Sequence, residues 1–318
     1  MIFLDLPPMH WDETQLLYHA LGRLGIECLA LTSSIEPYVC VGFSQGIPVE
    51  VDTEYCRKHD IGVFRREIGG GTVFIDRGQL LIQLVLRRDR EGMPAGQANL
   101  FRRFLGPVQE AYKALGMDAE FRPINDLLVH GKKVSGTGGG EVGDCNVVAT
   151  NILLDFDFDR MAGALRCPSE EFRNAVRRMM EENLTTVRKE TGKIPPPAGL
   201  RKTVRERYEA LLGPMEPAEL PYQVEAEMER IRVELFHRRW VGDRGAKKAW
   251  REVKVRGGCY VAQVPYEGNE VLLEVREEKI TAASVVGAPR REKWLGALVG
   301  QAYCEEQVIN MIAEMAGH

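Results

Sequence analysis

No stretch of roughly 18 consecutive apolar residues, the length a membrane-spanning helix needs, occurs in the 318-residue chain. The opening residues MIFLDLPPMHWDETQLL lack the basic segment and apolar stretch of a secretion signal. A cytoplasmic protein with no membrane contact is expected. Cysteine pairing is missing as well. Cys28, Cys40, Cys56, Cys145, Cys167, Cys259 and Cys304 are scattered without Cys-x-x-Cys spacing, which argues against a zinc ribbon or redox dithiol and leaves reduced thiols as the default. Nor is there an excess of positive charge: 42 Lys and Arg stand against 46 Asp and Glu. The basic footprint of a general nucleic-acid binder is therefore absent.

What is present is material for two cores. Hydrophobic residues make up 44% of the chain and charged ones 28%, the balance of a globular protein, and 318 residues exceed one ordinary domain. Asp12 precedes apolar positions Leu16, Leu17, Ala20, Leu21 and Leu24, which reads as an amphipathic helix ending near Gly25. Residues 27–32, 38–43, 62–65 and 79–86 read as strands, 98–115 as a helix and 147–155 as a strand. Helices are expected over 168–182 and 200–212, the second introduced by Pro195-Pro196-Pro197-Ala198-Gly199. Pro214, Pro217 and Pro221 mark a connection. Beyond them come a helix over 223–236, strands near 250–256, 260–264, 271–275 and 280–286, and a helix over 307–316. The expected architecture is α+β: a mixed-sheet domain over residues 1–215, a link over 216–222 and a small α+β domain over 223–318.

Two stretches stand out chemically. The first is Arg65-Arg66-Glu67-Ile68-Gly69-Gly70-Gly71-Thr72-Val73-Phe74-Ile75-Asp76, lying between two strands. Glycines inside an element cost about 0.5–1 kcal/mol each relative to alanine, so something comes close to that backbone. A phosphate suits bare N–H groups beside an arginine; a β-bulge or a tight connection suits them equally. The second stretch runs from Asn125-Asp126-Leu127-Leu128-Val129 through His130-Gly131 to Lys132-Lys133-Val134-Ser135-Gly136-Thr137-Gly138-Gly139-Gly140. It reads as a hairpin turning at His130-Gly131, with Lys133 and Ser135 on one face. A lysine beside glycine-rich loops can neutralise phosphate or a developing oxyanion, and it can also be an ordinary turn lysine. Asn125-Asp126 suits a turn, or an oxygen pair for Mg²⁺ and a ribose.

Together the two stretches resemble the lipoate–protein ligase family, within the wider fold group of biotin ligases and octanoyl transferases. The resemblance runs through Val39-Cys40-Val41-Gly42-Phe43-Ser44-Gln45, RRxxGGGxVxxDxG at 65–78, NDLLVxGKKVSG at 125–136 and Asn183-Leu184-Thr185. It continues into the C-terminal part, with strands over 253–286 and an end over 295–311. It implies a biotin/lipoyl ligase-like catalytic domain with a small accessory domain. Arg66, Gly69, Gly70, Gly71, Thr72, Val73, Phe74, Asn125, Asp126, Ser135 and Gly136 would hold ATP and the acyl-adenylate, with Asp126 the candidate Mg²⁺ ligand. Lys133 would be catalytic, bridging the acyl carbonyl and the α-phosphate. The implied substrates are ATP with Mg²⁺ and lipoate or a similar acid; the implied partner is a lipoyl-carrier protein or lipoyl domain offering a lysine. Ile75 stands where the family commonly has histidine, Ala149-Thr150-Asn151 where His-Gly-Thr is usual, and Thr137-Gly138-Gly139 where Ser-Ala-Gln is usual. These departures fall near the implied acyl pocket. The rival readings are an octanoyl or lipoyl transferase working through a Cys167 thioester without ATP, and a non-catalytic carrier-binding relative. The retained nucleotide motifs weigh against the latter, and the absence of a GRGRRGR-like loop weighs against biotin ligation.

Overall fold

Alternate residues of strand Gln79–Arg87 enter two different cores. Leu80, Ile82, Leu84 and Leu86 join one apolar cluster, Leu81 and Val85 the other, as the period of two along a strand requires when both faces are covered. In this computed structural model, which describes residues 1–237, 250–287, 294–304 and 307–316, that strand lies inside a six-stranded sheet. The order is Thr137–Val142, Cys145–Leu153, Gln79–Arg87, Cys28–Thr32, Ile2–Asp5, Glu216–Pro217. The first four are antiparallel neighbours and the last two join in parallel. Helices Gln97–Ala114 and Pro197–Leu212 bury Leu100, Phe104, Val108, Leu200, Val204 and Tyr208 on one face. Helices Glu13–Arg23 and Tyr222–Leu235 bury Leu16, Leu17, Leu21, Val224, Met228 and Ile231 on the other. Two three-stranded sheets also belong to this unit: Gly62–Arg65, Tyr38–Val41, Val73–Ile75, and Glu120–Arg122, Asp126–Val129, Lys132–Ser135.

A second compact unit holds an antiparallel four-stranded meander, Arg251–Arg256, Cys259–Tyr266, Asn269–Arg276 and Lys279–Val285. Helix Glu170–Asn183 packs on its first two strands. Helices Leu295–Leu298 and Val308–Ala316 share a core with Val264, Leu273 and Ile280. The mixed α+β class is as expected.

The division of the chain differs from the expected one. The units comprise Met1–Asp157 with Leu184–Ala246, and Phe158–Asn183 with Lys247–His318. Glu216–Pro217, read as a link, pairs with Ile2 and Phe3, and the helix after it lies on helix Glu13–Arg23. The prolines leave backbone acceptors and one free edge, which suffices for a terminal strand. Conversely, residues 158–183 leave the first unit because Phe172, Val176 and Met179 form an apolar stripe that the meander covers. Sequence reading also missed strand Ile2–Asp5, helix Phe158–Ala164 and the glycine-rich strand Thr137–Val142. Among the described residues, no helix is long and apolar enough to cross a membrane.

Candidate active site

The hairpin predicted around His130-Gly131 forms as expected, with both residues at positive φ (49° and 75°), the backbone that a tight two-residue turn demands. Leu128 pairs with Lys133 and Leu127 with Ser135, so the register slips at Val134, whose side chain enters the core. The Lys133 ammonium lies 2.8 Å from the Asp126 carboxylate across the hairpin. The lysine backbone is held too: Thr185 N–H donates to its carbonyl at 2.9 Å. Ser135 is fully buried, its hydroxyl donating to the Asn151 carbonyl at 2.7 Å beside Thr150 Oγ1 at 2.9 Å. Gly136 N–H donates to Asn151 Oδ1 at 2.7 Å, and Asn125 Nδ2 donates to the Thr137 carbonyl at 2.6 Å. Lys133 thus emerges from a rigid polar floor, whereas Ser135 and Gly136 belong to that floor.

The glycine loop is fixed at both ends, because strand Tyr38–Val41 pairs with Gly62–Arg65 before the loop and with Val73–Ile75 after it. Arg66 turns inward and is 5% exposed. Its guanidinium donates to the carbonyls of Cys40 at 3.1 Å, Gly69 at 3.1 Å and Gly71 at 2.8 Å. The arginine expected on a phosphate therefore gathers the loop's own carbonyls. Backbone does come close to these glycines. A Cβ on Gly42 would stand 1.9 Å from the Gly70 oxygen, and one on Gly138 2.9 Å from the Gly69 oxygen. Gly69 N–H donates to the Gly139 carbonyl at 3.1 Å. The run Gly138-Gly139-Gly140 is an edge strand flat enough to carry the loop. Gly71 is exposed, with open space where a side chain would be. Thr72 Oγ1 donates to Gln45 Oε1 at 3.2 Å, and that oxygen also accepts Gly42 N–H at 3.0 Å. Val73 is partly buried, and Phe74 is buried with its ring edge-on to Phe156.

Two groups that sequence reading left unassigned join the pieces. Asn151 Nδ2 donates to Gln79 Oε1 at 2.6 Å, and Gln79 Nε2 donates to the Phe74 carbonyl at 3.0 Å. Gln79, one of two glutamines in the otherwise apolar QLLIQLVL run, was the available signal. Ile75 joins the apolar core beneath helix Glu13–Arg23, a place where an imidazole would need a partner. Among the described residues, no group of three or more His, Cys, Asp or Glu comes together as a metal cage.

The loop's electrostatic support lies beneath it. His19 is fully buried; its Nδ1–H donates to the Gln15 carbonyl at 2.6 Å and its Nε2 accepts Glu67 N–H at 3.1 Å. Burial lowers the imidazole from 6.5 to about 3. Arg23, which pairs with Glu67 at 2.9 Å and Glu234 at 2.7 Å, faces the same ring. The unfolded imidazole takes a proton near 6.5 while the folded one resists until about 3, so stability present above 6.5 is lost as pH falls through that window. Going down to pH 4.5 withdraws about 2–3 kcal/mol from this group. Urea midpoints of wild type and His19→Gln are expected to converge between pH 7 and 4.5, and parallel pH profiles would contradict this.

The bipartite lipoate protein ligase of Thermoplasma acidophilum, studied with its E2 lipoyl domain, superimposes with a TM-score of 0.67 at 22% identity, over 75% of this chain and 94% of that one. An ATP-bound lipoate-protein ligase A gives 0.63 at 20%, over 76% and 97%. The fold is thus that of the lipoate–protein ligases. Residues 7–209 match the profile of the lipoyl protein ligase A/B catalytic domain, and the chain belongs to this family. A lipoate–protein ligase of Streptococcus pyogenes is 35% identical over 132 residues, 41% of this chain and 37% of its own length. The chain thus aligns with little more than a third of that relative. An octanoyltransferase of Kyrpidia tusciae is 25% identical over 252 residues, 72% of this chain and 91% of its own length.

Proposed function

We propose that the chain is an ATP-dependent, AMP-forming lipoate–protein ligase, and the observation that carries this reading is the Lys133 ammonium, paired with Asp126 on a hairpin that runs directly into the strand backing the glycine loop. In the first half-reaction the lipoate carboxylate attacks the α-phosphorus of ATP, and pyrophosphate leaves. In the second, a lysine amine of a lipoyl domain or carrier protein attacks the acyl carbonyl; the amide forms, AMP leaves, and the amine's proton is lost to solvent. Both transition states gather negative charge on oxygens within reach of one cation, which a preorganised ammonium stabilises without reorganisation. The glycine loop, its carbonyls drawn onto Arg66, presents the open Gly71 side to the nucleotide. Magnesium fits as a nucleotide-borne ion, since it is ordinarily held by one or two carboxylates plus phosphate oxygens, and Asp126 is one such carboxylate. Purified protein incubated with Mg²⁺-ATP and lipoate, octanoate or biotin is expected to release pyrophosphate and form acyl-AMP with lipoate. No adenylate with any acid would overturn the reading.

A second reading, octanoyl transfer through a cysteine thioester without ATP, is favoured by the long alignment with the octanoyltransferase. Burial pushes the Cys28 and Cys56 thiols up to about 12 and raises Cys40 and Cys145 as well, so none of these is a ready thiolate. Cys167 is half-buried between helices Phe158–Ala164 and Glu170–Asn183. It belongs to the second unit, and Lys133 to the first. Cys167→Ser is expected to leave adenylate formation and transfer within about twofold of wild type, as for a cysteine outside the chemistry. A trapped Cys167 octanoyl thioester on incubation with octanoyl-carrier protein would favour the transferase instead.

A further inference from the structure

The glycine loop and the lysine hairpin are distant in sequence, yet adenylation on the reading above requires them to hold fixed relative positions. One hydrogen-bonded path joins them through the interior. Gly136 N–H donates to Asn151 Oδ1 at 2.7 Å, Asn151 Nδ2 donates to Gln79 Oε1 at 2.6 Å, and Gln79 Nε2 donates to the Phe74 carbonyl at 3.0 Å. Phe74 lies on the strand leaving the glycine loop and Gly136 lies three residues from Lys133. Both amides are buried, at 8% for Asn151 and 1% for Gln79. Each spends its oxygen on an acceptor role and its nitrogen on a donor role, so the order of donors is fixed along the whole path. Thr150 braces it from the side, donating to the Gly136 carbonyl at 3.0 Å next to Ser135 and Thr137.

We propose that Asn151 is a positioning residue for the proposed ligase reaction, coupling the Lys133 hairpin to the glycine-loop strand through Gln79 and so setting where the ammonium stands against the nucleotide. Position 151 carries a side chain with both a donor and an acceptor, which a threonine at the same place cannot supply in this spacing. Asn151→Asp keeps the acceptor for Gly136 but sets a carboxylate against Gln79 Oε1. If the Gln79 amide turns to answer it, the Gln79 oxygen meets the Phe74 carbonyl. Either way one buried contact becomes repulsive.

The inference rests on the ligase reading, and the test separates the two. Steady-state adenylation is measured for wild type, Asn151→Asp, Gln79→Met and the double variant, with amide hydrogen exchange followed over residues 69–76 and 125–136. Each single variant is expected to lower kcat about tenfold or more while KM for ATP stays within about twofold, because a misplaced cation weakens the transition state more than nucleotide binding. The double variant should be no worse than the poorer single one. Exchange should rise in both segments in every variant. Additive losses, a KM-only effect, or faster exchange in only one segment would overturn the coupling. Should wild type form no adenylate, the ligase reading fails alone: exchange rising in both segments still supports the coupling, and exchange rising in one removes it.

Discussion

Lys133→Ala is expected to lower acyl-adenylate formation by about 10²–10³-fold or more, the loss typical when one preorganised donor to a developing anion is removed. Its interpretation depends on Asp126, because the Lys133 side chain is 19% exposed and the Asp126 side chain only 6%. Taking away the ammonium removes the cation paired with a nearly buried carboxylate, which is destabilising in its own right. The single variant therefore combines a chemical loss with a structural one. Lys133→Ala combined with Asp126→Asn removes both charges, leaving a neutral pair. That double variant should regain most of the thermal stability and none of the activity. If activity returned together with stability, Lys133 would be a structural ion-pair partner, and the chemistry would lie elsewhere in the site.

How much of this could be read beforehand varied with the physical origin of each feature. The hairpin was legible because His130-Gly131 is a local turn signal between two apolar runs, and the turn needs no tertiary help to be specified. Helix Glu13–Arg23 and strand Gln79–Arg87 were legible from their periods. Thr137–Val142 was not, because its glycines oppose strand propensity. It is a strand only because the glycine loop, Phe101 and the neighbouring strand occupy the space that side chains would fill. The membership of residues 158–183 in the second unit was equally hidden, since a helix's apolar stripe says that it is buried but not against what. Arg66 was found as a residue, but its bonds to the carbonyls of Cys40, Gly69 and Gly71 were not foreseen. An arginine next to glycines suits phosphate oxygens and backbone carbonyls alike, and only the fold shows that three carbonyls reach it first.

That last point yields the second large effect. Arg66→Met is expected to unfasten the glycine loop, because the carbonyls of Cys40, Gly69 and Gly71 lose their common donor at about 1–3 kcal/mol for each one left unsatisfied in the interior. Arg66→Lys tells whether charge or geometry matters. A lysine keeps the cation but is a single point donor with no planar fork, so it cannot span carbonyls on two sides of the loop. If Arg66 acted by touching phosphate, lysine would retain most of the nucleotide affinity. If it acts by shaping the loop, lysine should fail nearly as badly as methionine, with melting temperature and ATP affinity falling together. Gly42→Ala provides an independent route to the same state with Arg66 intact, since the added methyl meets the Gly70 oxygen at 1.9 Å and the backbone itself must give way. Matching losses in Arg66→Lys and Gly42→Ala, read by ATP titration and thermal melting, would assign Arg66 to the loop; a normal Arg66→Lys beside a disabled Gly42→Ala would return it to the phosphate.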